Sequence, residues 1–309
     1  MTLRRDLLFD VGDAADLGEP AWIAGTMFVP DAVRTPFVLA LLVPGGGFTR
    51  RYFDLEVRGH DDYSVAMRLA AGGVVGVAVD NLGTGASTRP QDGREVTLDR
   101  SAAALAAVAR QLRAKAIGGA LDPSLPPAAP FITGIGHSLG GCIMTLQQGL
   151  HGACDALAVL GFSCQYIKTA VDPKTGQRLR PRTPVGDGYN RSDPAGHRDR
   201  FYAPDVPLAV IQAEEASRIA MPDGLAEVLI PGRSAAAAAR VVTPVLLGFG
   251  EFDVSPDPWL EPSFFRASSD VSLLVLAGAA HCHNSAGGRI AFWRQIGGWM
   301  EQRAGLAIR

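Results

Sequence analysis

The sequence predicts an α/β protein with a mainly parallel sheet covered by helices on both faces. Two observations carry this. Short β-branched runs alternate with stretches of helical periodicity, the pattern of strands joined by crossover helices. The chain has 309 residues, 47% of them hydrophobic, enough for one large α/β domain or two modest ones with a substantial core.

The predicted strands are Trp22–Val29, Phe37–Val43, Val74–Val79, Phe131–Ile135, Leu157–Leu160, Val245–Phe249 and Leu273–Leu276. Only a short loop from Pro30 to Pro36 separates the first two, so the first is expected to run antiparallel. Leu98, Leu105, Val108 and Leu112 recur at helical spacing, with Asp99 as the expected N-cap. Phe292, Ile296, Trp299 and Met300 form a similar stripe near the C-terminus. Ser163 to Val241 breaks the alternation. It holds eight prolines, six arginines from Arg178 to Arg200, and helical stretches around Leu208–Ile219 and Ser234–Arg240. A structureless loop of that length is unusual, so residues 163–241 are read as a lid, with 1–162 and 242–309 as the core.

A formal net charge of −2 and no basic block leave no electrostatic footprint for nucleic acid or an acidic membrane surface. No apolar run reaches the ~18 residues of a membrane span. Asp10, Asp13 and Asp16 interrupt the start of the chain, so no signal peptide is expected and a cytoplasmic location is the prior. Cys142, Cys154, Cys164 and Cys282 lack CxxC spacing and suggest neither a zinc site nor a disulfide framework.

Gly136-His137-Ser138-Leu139-Gly140 is a G-x-S-x-G pentapeptide. Glycines suit a sharp strand-to-helix turn that leaves a serine hydroxyl exposed above the sheet. The bare match is weak. Its context is the support: an apolar run, Phe131–Ile135, comes before it, and a helical stretch from Gly141 to Leu150 follows.

With this motif the chain resembles the α/β-hydrolase superfamily, from about Trp22 to Met300. Pro44-Gly45-Gly46-Gly47 stands where the family has its His-Gly oxyanion loop, with Pro44 replacing the histidine. Asp80-Asn81-Leu82-Gly83-Thr84-Gly85-Ala86-Ser87 is similar to the family's D-x-x-G-x-G-x-S loop. Gly250-Glu251-Phe252-Asp253 resembles the acid loop, and Ala279-Ala280-His281 stands where the family carries its histidine. The order Ser138, Asp253, His281 is the family's order.

The resemblance implies Ser138 as nucleophile, His281 as general base and then acid, and Asp253 as the residue that orients the imidazole. His283 competes with His281, and Glu251 and Asp257 compete with Asp253; position in the loops favours His281 and Asp253. The oxyanion donors are expected to be the N–H groups of Leu139 and of Gly46, or Gly47 if the register slips. Asp80 is read as structural, accepting backbone hydrogen bonds in its turn. Cys142 and Cys282 are read as small buried hydrophobes. Phe48, Tyr52, His137 and Phe162 are candidates to line the substrate pocket. The arginines of 178–200 could grip an anionic substrate or a carrier's phosphate, but with Asp187, Asp193 and Asp199 interleaved they are read as a solvated face.

The leading functional expectation is a serine hydrolase acting on a carboxylic ester, thioester or lactone through an acyl-enzyme. Its partner is a small-molecule acyl substrate, free or carrier-bound. No metal or organic cofactor is implied, and the oligomeric state is left open. The same residues would serve an acyltransferase or cyclase. A cofactor-free lyase or oxygenase and a non-catalytic binding protein are readings from other classes.

Overall fold

The computed structural model describes residues 2–168, 170, 172, 174–175, 183–193 and 195–305. The chain runs through β1 (Leu3–Asp10), α1 (Gly12–Ala15), β2 (Trp22–Val29), β3 (Val38–Val43), α2 (Val65–Ala71), β4 (Val75–Val79) and α3 (Leu98–Ile117). Next come β5 (Phe131–His137), α4 (Leu139–His151) and β6 (Ala156–Leu160). The inserted segment contributes β7 (Thr183–Gly186), β8 (Tyr189–Arg191), α5 (Arg198–Phe201), α6 (Leu208–Ala216), β9 (Met221–Pro222) and α7 (Ala235–Ala238). The chain closes with β10 (Val245–Gly250), β11 (Val271–Leu276) and α8 (Arg289–Arg303).

Eight strands form one sheet in the order β1-β2-β4-β3-β5-β6-β10-β11. From β4 to β11 every pairing is parallel, whereas β2 pairs antiparallel with both β1 and β4. The antiparallel expectation for Trp22–Val29 therefore holds, though its partners are β1 and β4 and not the strand that follows it. Strands β3 and β4 are buried at every position because both faces of the sheet are covered. Leu39, Leu41 and Val43 point to the face packed by α3 and α4. Val38, Ala40 and Leu42 point to the opposite face, with Phe292 and Ile296 of α8.

Two details depart from the sequence reading. The strand Leu3–Asp10 had no counterpart among the predicted runs. Its sequence, LRRDLLFD, is nearly all exposed, as an edge strand blunted by charge should be. The N-cap of α3 is Thr97, whose hydroxyl accepts the Arg100 N–H at 3.2 Å. Asp99 lies instead in the first turn, where a negative charge suits the helix dipole, and it pairs with Arg233 at 2.8 Å.

Within the inserted segment β7, β8 and β9 form a small antiparallel sheet, and α6 and α7 occupy the two stretches expected to be helical. Arg178, Arg180 and Arg182 lie outside the described residues. Arg198 pairs with Glu215 through two contacts of 2.7 and 2.5 Å. No helix among the described residues is long and apolar enough to cross a membrane.

Candidate active site

The site sits above the C-terminal ends of β3, β5 and β10, where an α/β sheet leaves its crevice. Ser138 occupies the junction of β5 and α4 with φ 54° and ψ −120°, a strained backbone for a residue with a side chain. The turn is clamped at both ends. Ser138 N–H donates to the Leu160 carbonyl at 2.8 Å, and the Ser138 carbonyl accepts from Cys142 N–H at 3.2 Å. A Cβ on Gly136 would run into the Gly140 carbonyl, and one on Gly140 into that of Val43. The two glycines of the pentapeptide are therefore required by close backbone approach.

Asp253 follows β10 and is buried. It accepts from His281 Nδ1–H at 2.7 Å through Oδ1 and from His283 Nε2–H at 2.6 Å through Oδ2. Val254 N–H reaches Oδ1 at 2.7 Å, and Gly250 N–H reaches Oδ2 at 3.1 Å. Burial alone would raise this carboxyl. The two imidazoles and their hydrogen bonds outweigh it and hold Asp253 well below the usual carboxylate range. Because Nδ1–H of His281 is committed to Asp253, Nε2 is the ring atom left for proton transfer.

Ser138 and His281 line the same cavity, of about 130 Å³, together with Gly46, Gly47 and Leu139. His283 does not line it and is fully buried behind His281. The competing acids are engaged elsewhere. Glu251 accepts the Gly278 N–H at 2.8 Å, and Asp257 accepts that of Trp259 at 3.0 Å. No hydrogen bond to a described residue ties up the N–H of Gly46, Gly47 or Leu139. The glycine loop is anchored from both sides: Asn81 Nδ2 donates to the Pro44 carbonyl at 3.0 Å, and Ile219 N–H to the Gly47 carbonyl at 2.9 Å.

Phe48, Tyr52, His137 and Phe162 are buried, and none of them lines the cavity. His137 immediately precedes the serine, so its ring turns down behind it. There it stacks on Tyr52 at 4.7 Å and donates through Nε2–H to the His281 carbonyl at 2.9 Å. Burial, then the neighbouring imidazoles, push its pKa well below 6.5, so His137 is neutral. It supports the loop of His281. Phe48 lies under the guanidinium of Arg218, which takes the place in the wall expected of the ring.

Asp80 has the structural place expected of it, accepting from Arg50 N–H at 2.7 Å and Ala86 N–H at 2.9 Å. All four cysteines are free and buried. Burial raises each thiol, to about 12 for Cys154 and Cys164 and well above the ordinary range for Cys282. Among the described residues no group of three or more His, Cys, Asp or Glu is placed to hold a metal ion.

Three participants escaped the sequence reading. Gly161 has φ 59°, and a Cβ there would lie 3.1 Å from His281 Nδ1. Glu261 accepts from Ser163 Oγ at 2.5 Å, Cys164 N–H at 2.9 Å and Ser255 Oγ at 2.7 Å, tying the start of the inserted segment to the loop of Asp253. Arg218 stands in the cavity wall. Of the three, only Gly161 carried a local signal, as a glycine directly after a strand.

The inserted segment supplies most of the remaining wall, including Ile167, Phe201, Ile219 and Met221. It also reaches the histidine loop directly. The carbonyls of Arg200 and Phe201 accept the N–H groups of His281 and Cys282 at 3.0 and 2.8 Å.

Solved structures share this architecture at low identity. A proline iminopeptidase from Mycobacterium smegmatis is 16% identical, covers 97% of this chain and 98% of its own, and superposes with a TM-score of 0.64. An esterase from Exiguobacterium antarcticum is 16% identical over 91% of this chain and 96% of its own, with a TM-score of 0.63. A loop variant of a haloalkane dehalogenase from Bradyrhizobium elkanii is 17% identical over 97% and 98%, with a TM-score of 0.61. Likenesses this distant show a shared fold, and their different activities show how little the fold fixes the substrate. No curated protein sequence matches the chain. The profile of the alpha/beta hydrolase family matches residues 40–291, most of the chain and all the elements that carry the site. The chain belongs to the alpha/beta hydrolase family.

Proposed function

We propose that this protein is a serine hydrolase that cleaves a small carboxylic ester, thioester or lactone through an acyl-enzyme on Ser138. One observation carries the reading: Ser138 and His281 share a cavity wall, and the Nδ1–H of that histidine is held by the buried carboxylate of Asp253.

In this mechanism Ser138 Oγ attacks the substrate carbonyl carbon while His281 Nε2 takes its proton. Asp253 stabilises the imidazolium that forms. The tetrahedral oxyanion is met by the N–H of Leu139, at the start of α4, and by that of Gly46 or Gly47. Each such donor is worth about 3 kcal/mol in the transition state. On collapse the bond to the leaving group breaks, and His281 hands its proton to the departing alkoxide or thiolate. Water then attacks the acyl-enzyme and gives a proton to His281. The acid leaves, and Ser138 recovers its proton.

The inserted segment serves as the lid in this reading: its described residues, among them Phe201, Ile219 and Met221, line the cavity with Ser138, and the carbonyls of Arg200 and Phe201 bond the histidine loop. A cavity of about 130 Å³ favours a small acyl group, because a void of comparable size accommodates a molecule such as benzene. The test is turnover of phenyl and thiophenyl esters of two- to five-carbon acids, by wild type and by Ser138→Ala. Release of phenol or thiophenol ahead of the acid in a pre-steady-state burst, absent from Ser138→Ala, supports the acyl-enzyme. Equal turnover by both proteins overturns it.

A further inference from the structure

Arg218 follows α6 and is only 9% exposed. Its guanidinium carbon lies 4.4 Å from the centre of the Phe48 ring and 4.7 Å from that of Phe201. Its Nε and Nη1 are buried and donate to nothing, and no carboxylate pairs with it among the described residues. The two acids of α6 are engaged elsewhere: Glu215 pairs with Arg198, and Glu214, which feels the charge of Arg218 without bonding to it, accepts from Ser285 Oγ at 2.5 Å and Tyr202 OH at 3.2 Å. Two aromatic faces offset part of the cost of burying the cation, but they leave its hydrogen-bond donors unsatisfied.

Such a group is out of place in a wall built only for an apolar acyl chain. It is well suited to a planar anion, because guanidinium presents a fork that matches a carboxylate. The edge carrying Nε and Nη2 faces the glycine loop, since a Cβ on Gly47 would lie 3.8 Å from Nε and 3.9 Å from Nη2. Ile219, the next residue, bonds that same loop through its N–H to the Gly47 carbonyl at 2.9 Å. The guanidinium is thereby held on the same cavity wall as Gly46, Gly47 and Ser138, with Nη2 as its less enclosed nitrogen. A single guanidinium balances a single negative charge.

We infer that Arg218 is a carboxylate-binding residue, and that the substrate carries a free carboxylate on a short chain from the scissile carbonyl, as in a half-ester or half-thioester of a small dicarboxylic acid. This rests on the serine hydrolase reading for the scissile bond, whereas the anion site itself stands on the geometry of Arg218.

The experiment compares phenyl hydrogen glutarate with its neutral counterpart, phenyl methyl glutarate, on wild type, Arg218→Met and Arg218→Lys. Spontaneous cleavage is subtracted using Ser138→Ala. Wild type is expected to favour the acid by about 10- to 100-fold in kcat/KM, the range set by charge-assisted hydrogen bonds. Arg218→Met, which keeps a long apolar stem between the two rings, is expected to lose that ratio whatever its absolute rate. Arg218→Lys is expected to keep part of it. A wild-type ratio near one, or a ratio retained in Arg218→Met, overturns the inference. If wild type cleaves neither ester, the serine hydrolase reading fails for these substrates, and calorimetric titration with glutarate decides the anion site separately. Binding that is lost in Arg218→Met upholds it, and no binding to wild type overturns it.

Discussion

Asp253 Oδ2 lies 2.6 Å from His283 Nε2, so the acid that holds His281 is itself held by a second imidazole. With His281 on Oδ1, the carboxylate is gripped from both sides, and two backbone N–H groups complete its shell. In the proposed mechanism His283 is a positioning residue: it stays outside the cavity and would act through Asp253.

Removing the His283 ring leaves Oδ2 with only the Gly250 N–H. His283→Ala is expected to lower kcat/KM about 10- to 100-fold, the worth of one hydrogen bond to a buried charge. His281→Ala should cost about 10⁴-fold, because it removes the proposed base. Steady-state kinetics on the two variants check this ordering. Equal losses would contradict it.

Gly161 leaves no room beside His281. Gly161→Ala places a methyl group 3.1 Å from Nδ1 and 3.2 Å from His137 Nε2, at a φ of 59° that disfavours any side chain. Activity is expected to fall at least tenfold with the protein still folded, since backbone strain of this kind costs about 1–2 kcal/mol. Circular dichroism run beside the ester assay separates misplacement of the histidine from unfolding.

His137 gives the protein a pH-dependent stability. Its pKa in the folded protein lies below the unfolded value of 6.5, so the native state binds fewer protons than the unfolded chain. Its contribution is therefore fully present above about pH 6.5 and is lost as pH falls toward the folded value, at up to about 1.4 kcal/mol per pH unit. Glu214, raised by burial, works in the opposite direction over the acidic range, so the comparison must be between proteins. His137→Gln keeps a donor for the His281 carbonyl and does not titrate. Urea unfolding at pH 7.5 and 5.5 is expected to show a smaller drop for this variant than for wild type.

Glu261 joins the inserted segment to the acid loop through Ser163, Cys164, Gln165 and Ser255. Glu261→Ala strands several buried donors at once and is expected to cost about 3 kcal/mol of stability. Glu261→Gln, which retains one acceptor oxygen, should cost less. The midpoints of denaturant unfolding decide the order.

The parts of this molecule that were legible in the sequence are those dictated by local chemistry. Strands β3, β4 and β10 are unbroken apolar runs because both their faces are buried, and such runs are visible without a fold. Ser138 announced itself because its turn needs Gly136 and Gly140 beside it. Strand β1 was not legible, since an exposed edge strand carries charge where a buried one carries β-branched residues. Nor were the partnerships of His283 and Arg218. Each depends on residues 30 or more positions away, Asp253 for the histidine, and Phe48 and Gly47 for the arginine. His137, Phe48 and Phe162 were assigned to the pocket from their nearness to strand ends. Which way a side chain turns after a strand ends is set by the loop, and all three turn inward.

The most direct measurement of the central claim is the intact mass of the protein after treatment with a small fluorophosphonate, beside Ser138→Ala treated in the same way. An activated serine in this cavity predicts a single adduct on the wild type and none on the variant. A wild type left unmodified, or an adduct that persists in Ser138→Ala, would contradict it.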